Sequence, residues 1–107
     1  MGSRSVQDFE IPHGLEAARR HVERYFAQFG SGATRRPDGS YRVETAVALT
    51  QEVVVTISLT PYTDARTWAT VSAETVHGYD WGATKRLVRK LSKILAEPEW
   101  NWPLAGF

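Results

Sequence analysis

Apolar residues alternate with polar ones along four stretches of this chain and recur at helical spacing along two more. Residues 5–11 read as a first strand, with Phe9 and Ile11 on one face. Pro12-His13-Gly14 breaks it. Leu15, Ala18, Val22, Tyr25, Phe26 and Phe29 then form one helical stripe opposite Arg19, Arg20, Glu23 and Arg24, and Gly30 is a suitable residue to end that helix. Residues 31–39 form a connection with room for a short edge strand around residues 34–36. Pro37-Asp38-Gly39 is turn chemistry, because Pro sets φ and Gly accepts a positive φ. Tyr41, Val43, Thr45, Val47 and Leu49 alternate with Arg42, Glu44, Ala46 and Ala48 as a half-buried strand.

Thr50-Gln51 links this strand to the most regular one, where Val53, Val55, Ile57 and Leu59 oppose Glu52, Val54, Thr56 and Ser58. Pro61-Tyr62-Thr63-Asp64 reads as a second turn. Residues 67–76 form the next strand, whose facing the pattern leaves open: Trp68 alternates against Ala69, Val71 and Ala73. His77-Gly78-Tyr79 breaks that strand. Asp80 then stands where an N-cap would accept from the first turn of a helix reaching about residue 96, with Leu87, Val88, Leu91, Ile94 and Leu95 as its stripe and Pro98 after its end.

The order β-α-β-β-β-α predicts an α+β fold. An antiparallel meander with one polar face needs its apolar face covered, and both helices carry matching stripes. The expected architecture is a two-layer sandwich with a curved antiparallel sheet and both helices on one face. With 107 residues, one domain over residues 1–97 is expected, followed by an aromatic C-terminal tail, residues 98–107.

Composition narrows the chemistry. The chain has no cysteine, which removes disulfides, thiolate nucleophiles and Cys-ligated zinc or iron–sulfur. The formal net charge is +1, so the chain as a whole is no polycation. No apolar run approaches the ~18 residues that cross a bilayer. The first residues lack the apolar core of a signal peptide, and Val6 stands where a myristoylation signal would carry Ser or Thr. A cytoplasmic location is the default expectation.

Charge distribution is more telling than net charge. The last helix carries Lys85, Arg86, Arg89, Lys90 and Lys93, with no acid between Trp81 and Ala96. Lys85, Arg89 and Lys93 share one row and Arg86 and Lys90 another. A merely solvated face usually mixes both signs in i, i+4 pairs. The tail adds Trp100, Trp102 and Phe107, aromatic anchors that either fold back on the domain or insert into a neighbour. Pro98 and Pro103 favour an extended tail. A phosphate-binding surface would want aromatics beside the charges, and only Tyr79 and Trp81 are near, so nucleic acid ranks behind protein as the partner.

Candidate catalytic and cofactor signals are sparse. His13, His21 and His77 have no metal spacing, and no phosphate-loop, nucleophile-elbow or zinc-protease motif occurs. No cofactor is therefore expected. Glu97 and Glu99 flank Pro98 in an exposed-looking segment, while Glu44, Glu52 and Glu74 would interest an acid–base reading only if one faced a cavity.

The run Phe9-Glu10-Ile11-Pro12-His13-Gly14-Leu15, followed by Ala17-Ala18-Arg19-Arg20 and Val22, resembles the start of small proteins of the polyhydroxyalkanoic acid system family. The element order is similar to a reduced helix-grip, or START-like, fold. That resemblance implies a small accessory or surface-binding protein rather than an enzyme.

Three functional expectations follow. The first is a non-enzymatic interaction or assembly module, in which Lys85, Arg86, Arg89, Lys90 and Lys93 set electrostatic register and Trp100, Trp102 and Phe107 anchor a partner or a neighbouring subunit. The second is a small helix-grip pocket for an apolar molecule between the sheet and the last helix, lined by Phe26, Phe29, Trp68, Ala69 and Ala73. An anionic surface, nucleic acid or lipid, is the third.

Overall fold

The chain runs in the order β1 (Arg4–Ile11), α1 (Leu15–Ala27), β2 (Thr34–Arg35), β3 (Tyr41–Ala48), β4 (Gln51–Thr63), β5 (Arg66–Thr75) and α2 (Ala83–Leu95). This is a computed structural model, and it describes residues 4–27, 33–48, 51–75 and 82–97. The strands form one antiparallel sheet in the order β1-β5-β4-β3-β2, with both helices packed on it, an α+β fold. Strand β2, two residues long, is the short edge strand for which the connection left room, so the order carries one strand more than the β-α-β-β-β-α reading.

Helix α1 takes the chain from one edge of the sheet to the other. A meander of β2, β3, β4 and β5 then returns, so the last strand pairs with the first. Phe9 lies opposite Ala69, and Ile11 opposite Thr67. The β2–β3 turn is closed by Gly39 N–H donating to the Arg36 carbonyl at 2.9 Å, with Gly39 at φ 89°. The Asp38 carboxylate accepts from Ser40 N–H at 2.9 Å and Ser40 Oγ at 2.6 Å. These bonds hold its pKa below the ordinary carboxylate range.

The inner face of the sheet is set by alternation. Ile11, Tyr41, Val43, Val53, Val55, Ile57, Ala69, Val71 and Ala73 are buried against Ala18, Val22, Tyr25 and Phe26 of α1 and Val88, Leu91 and Leu95 of α2. The Tyr25 and Phe26 rings meet edge-to-face at 5.0 Å between centroids. Helix α2 lies mainly over β1 and β5, where Ala69 and Ala73 allow close approach, and Ser5 Oγ bonds Thr84 Oγ1 at 2.8 Å across that contact.

Three local expectations are corrected. Trp68 does not share the inner face; it is 45% exposed on the outer face, opposite Glu10 and Thr60. The small residues beside it, not the large one, fit beneath α2. Pro61 and Tyr62 do not turn the chain, because β4 continues to Thr63 with a register irregularity between Pro61 and Thr63. Strand β3 begins opposite Ile57, so beyond that point one side of β4 is an edge, where proline is tolerated. The α2 N-cap position is Gly82, at φ 83°, and not Asp80. Asp80 lies outside the described residues, as do His77, Tyr79 and Trp81.

Candidate functional site

Helix α2 sorts its residues sharply. Val88, Leu91, Ser92 and Leu95 point into the sandwich, together with Thr84. Lys85, Arg86, Arg89, Lys90 and Lys93 are all exposed. The helix has no acid in its first turn, and only Lys93 lies in its last turn, where a cation complements the macrodipole. Lys85 and Arg86 stand near the N-terminal end, where positive charge is unfavourable. The pairs Lys85–Arg89, Arg89–Lys93 and Arg86–Lys90 are like charges at i, i+4, each destabilising by about 0.2–0.5 kcal/mol. The helix therefore carries its bases against its own local electrostatics.

Three arginines elsewhere are paired with acids. Arg19 pairs with Glu16 at 3.2 Å, Arg42 with Glu44 at 2.8 Å and Arg66 with Glu10 at 2.9 Å. Among the described residues, Lys85, Arg89, Lys90 and Lys93 form no such pair. Trp100, Trp102 and Phe107, the expected anchors, lie outside the described residues.

A cleft of about 160 Å³ opens beside the basic face. Tyr25 and Phe26 of α1, Val43 of β3, Val55 of β4 and Leu87 and Leu91 of α2 supply its apolar lining; Lys90 and Glu44 contribute polar groups. The pocket reading placed this space over Trp68, Ala69 and Ala73, but none of the three lines the cleft. Ala69 and Ala73 are fully buried in close contact beneath α2, and Trp68 is on the other side of the sheet. Of the residues expected to line it, Phe26 does so, and Phe29 lies outside the described residues. The other apolar lining residues, Tyr25, Val43, Val55, Leu87 and Leu91, come from four elements, and periodicity could identify them only as core. Glu44 borders the cleft from β3, but its carboxylate is engaged by Arg42 on the outer face of the sheet.

His21 is buried between the helices, 4% exposed. Desolvation pushes its pKa down to about 4, against a raising hydrogen bond with the Ile94 backbone and with a smaller lowering from His13. It is therefore a neutral ring joining α1 to the end of α2. No described helix is long and apolar enough to cross a membrane. No protein-family model matches the chain, and no curated protein or solved structure matches it significantly.

Proposed function

We propose that this protein is a non-enzymatic docking module whose helix α2 presents a cationic face to an acidic protein surface. The observation that carries this reading is the exposed row of Lys85, Arg89 and Lys93, which form no ion pair among the described residues, beside the further bases Arg86 and Lys90. A helix selected only for stability would place acids in its first turn and opposite charges four residues apart. Titration with poly-L-glutamate tests it. Binding should weaken steeply as salt rises, because exposed charge interactions are screened. Replacing Lys85, Arg89 and Lys93 by Gln should weaken binding at least tenfold while leaving the circular dichroism spectrum unchanged. Salt-independent binding, or a triple variant that binds normally, would overturn the reading. Removing residues 98–107 tests the anchoring role of Trp100, Trp102 and Phe107: a truncated chain that binds normally but melts earlier has lost core rather than anchor.

The cleft supports a second reading, a reduced helix-grip pocket for a small apolar molecule. At about 160 Å³ it suits a ligand the size of a single aromatic ring, which is the scale of apolar cavities that take up benzene. Thermal-shift measurements with small aromatic compounds test this. A shift abolished by Leu91→Trp, which fills the cleft, supports the pocket; no shift with any of them removes it.

A further inference from the structure

The outer face of the sheet complements α2. Register places Arg4, Val6, Asp8 and Glu10 of β1 on that face beside Glu74, Ser72, Thr70 and Trp68 of β5. Val54, Thr56, Ser58 and Thr60 of β4 continue the rows, with Glu44 and Arg42 beyond them on β3. Exposed Glu52 extends the same face. Its acids, Asp8, Glu10, Glu44, Glu52 and Glu74, outnumber its arginines, Arg4, Arg42 and Arg66. Glu10 and Glu44 are already paired, which leaves Asp8, Glu52 and Glu74 as the acids outside those pairs.

At one end of this face lies a shallow groove formed by Glu10, Thr60, Pro61, Tyr62 and Trp68. Tyr62 is 66% exposed and Trp68 45%. Exposed aromatic faces beside a carboxylate favour a long cationic side chain, because the ring quadrupole attracts the charge and the stem lies on the ring. The spacings also agree. Residues four apart on a helix rise by about 6 Å, and same-face residues two apart on a strand by about 6.6 Å.

We infer that the partner of α2 is a second copy of this chain, docking its Lys85–Arg89–Lys93 row on the outer sheet face with a cationic side chain over Trp68 and Tyr62. This rests on the docking reading above and names its partner. Donor and acceptor faces lie on opposite sides of the sandwich, so the contact is head-to-tail and leaves a free face at each end. A helix of 13 residues is about 20 Å long. Its exposed face covers only a few hundred Å², which is in the range of weak, transient contacts. The association is therefore expected at high protein concentration and low salt.

Sedimentation equilibrium on the full chain tests it with two variants that neutralise one face each. One carries Lys85→Gln, Arg89→Gln and Lys93→Gln, and the other Asp8→Asn, Glu52→Gln and Glu74→Gln. The wild-type average mass should rise with concentration and fall back at raised salt. Each variant alone should stay monomeric over the same range. Their equimolar mixture should form a species of two chains and nothing larger, because each contributes one intact face. Trp68→Ser, at an exposed position, should independently weaken wild-type association at least tenfold. A wild-type chain that stays monomeric throughout, an association indifferent to both charge sets, or a mixture as inert as its components would overturn the inference. If the monomeric wild type still binds poly-L-glutamate, docking stands and only the self-partner fails. If it binds neither, both fail.

Discussion

The Tyr41 hydroxyl donates a 2.5 Å hydrogen bond to Oε2 of Glu23, tying β3 to the exposed side of α1. The Tyr41 ring is fully buried, so the hydroxyl reaches solvent-facing Glu23 from within the core. Burial first, and then the carboxylate, push its pKa up to about 12. Tyr41→Phe is expected to cost about 1–2 kcal/mol by denaturant unfolding. The unfolded tyrosine ionises near pH 10, while the folded one holds its proton to about 12. Wild-type stability should therefore be intact below pH 10 and fall between pH 10 and 12. The Tyr41→Phe variant should lack that component.

His21 governs the acid side. Its folded pKa of about 4 lies below the ordinary histidine value of 6.5, so the unfolded chain binds the extra proton first. Stability should be complete above pH 6.5 and fall as pH drops toward 4, by up to about 1.4 kcal/mol per pH unit. Unfolding midpoints measured across that window, compared with His21→Leu, check it; the variant should show a flatter profile.

Gly14 abuts the β4–β5 turn. A Cβ built there would lie 2.6 Å from the Asp64 carbonyl oxygen, a backbone atom that cannot swing aside. Thr67 Oγ1 donating to the His13 carbonyl at 2.8 Å fixes the same loop. Gly14→Ala is expected to lower stability by about 1–3 kcal/mol, the usual range for overpacking. A variant as stable as wild type in thermal unfolding would contradict this.

The cationic face of α2 should register in stability as well as in binding. Arg89→Gln removes two like-charge contacts at i, i+4 and should raise stability at low salt by about 0.4–1 kcal/mol. Added salt should erase the difference by screening the repulsion in the wild type. Melting temperatures of both proteins across a salt series provide the check. A variant that melts lower than wild type at low salt would show that Arg89 makes a favourable contact instead.

Sheet and helices were readable because alternation and helical spacing are properties of neighbouring residues. Val53, Val55 and Ile57 could face only one way, and the Leu91 stripe had to be covered. Trp68 was not readable: its neighbours Ala69 and Ala73 carry too little apolar area to outweigh an indole, and only their fit beneath α2 decides the face. Pro61 looked like a turn because tolerance of proline depends on whether β3 extends that far. Asp80 has the better capping chemistry, yet the helix begins after Gly82 in a left-handed conformation. The basic residues of α2 were evident in sequence, because charge and spacing are local. The cleft and the acidic outer face were not, since each gathers residues from several strands or helices whose register no local pattern encodes.

The pairing of the first strand with the fifth also bears on biosynthesis. Arg4 pairs with Glu74 and Ile11 with Thr67, so β1 leaves the ribosome long before its partner exists. The meander from β2 to β5 can zip locally, but the sheet closes only when β5 emerges, and α2 can cover β1 and β5 only after that. Pairings this distant in sequence place folding toward the slower part of the range for small domains. During that interval β1 is an unpaired strand carrying Phe9 and Ile11, and a nascent chain is most exposed to misassociation there.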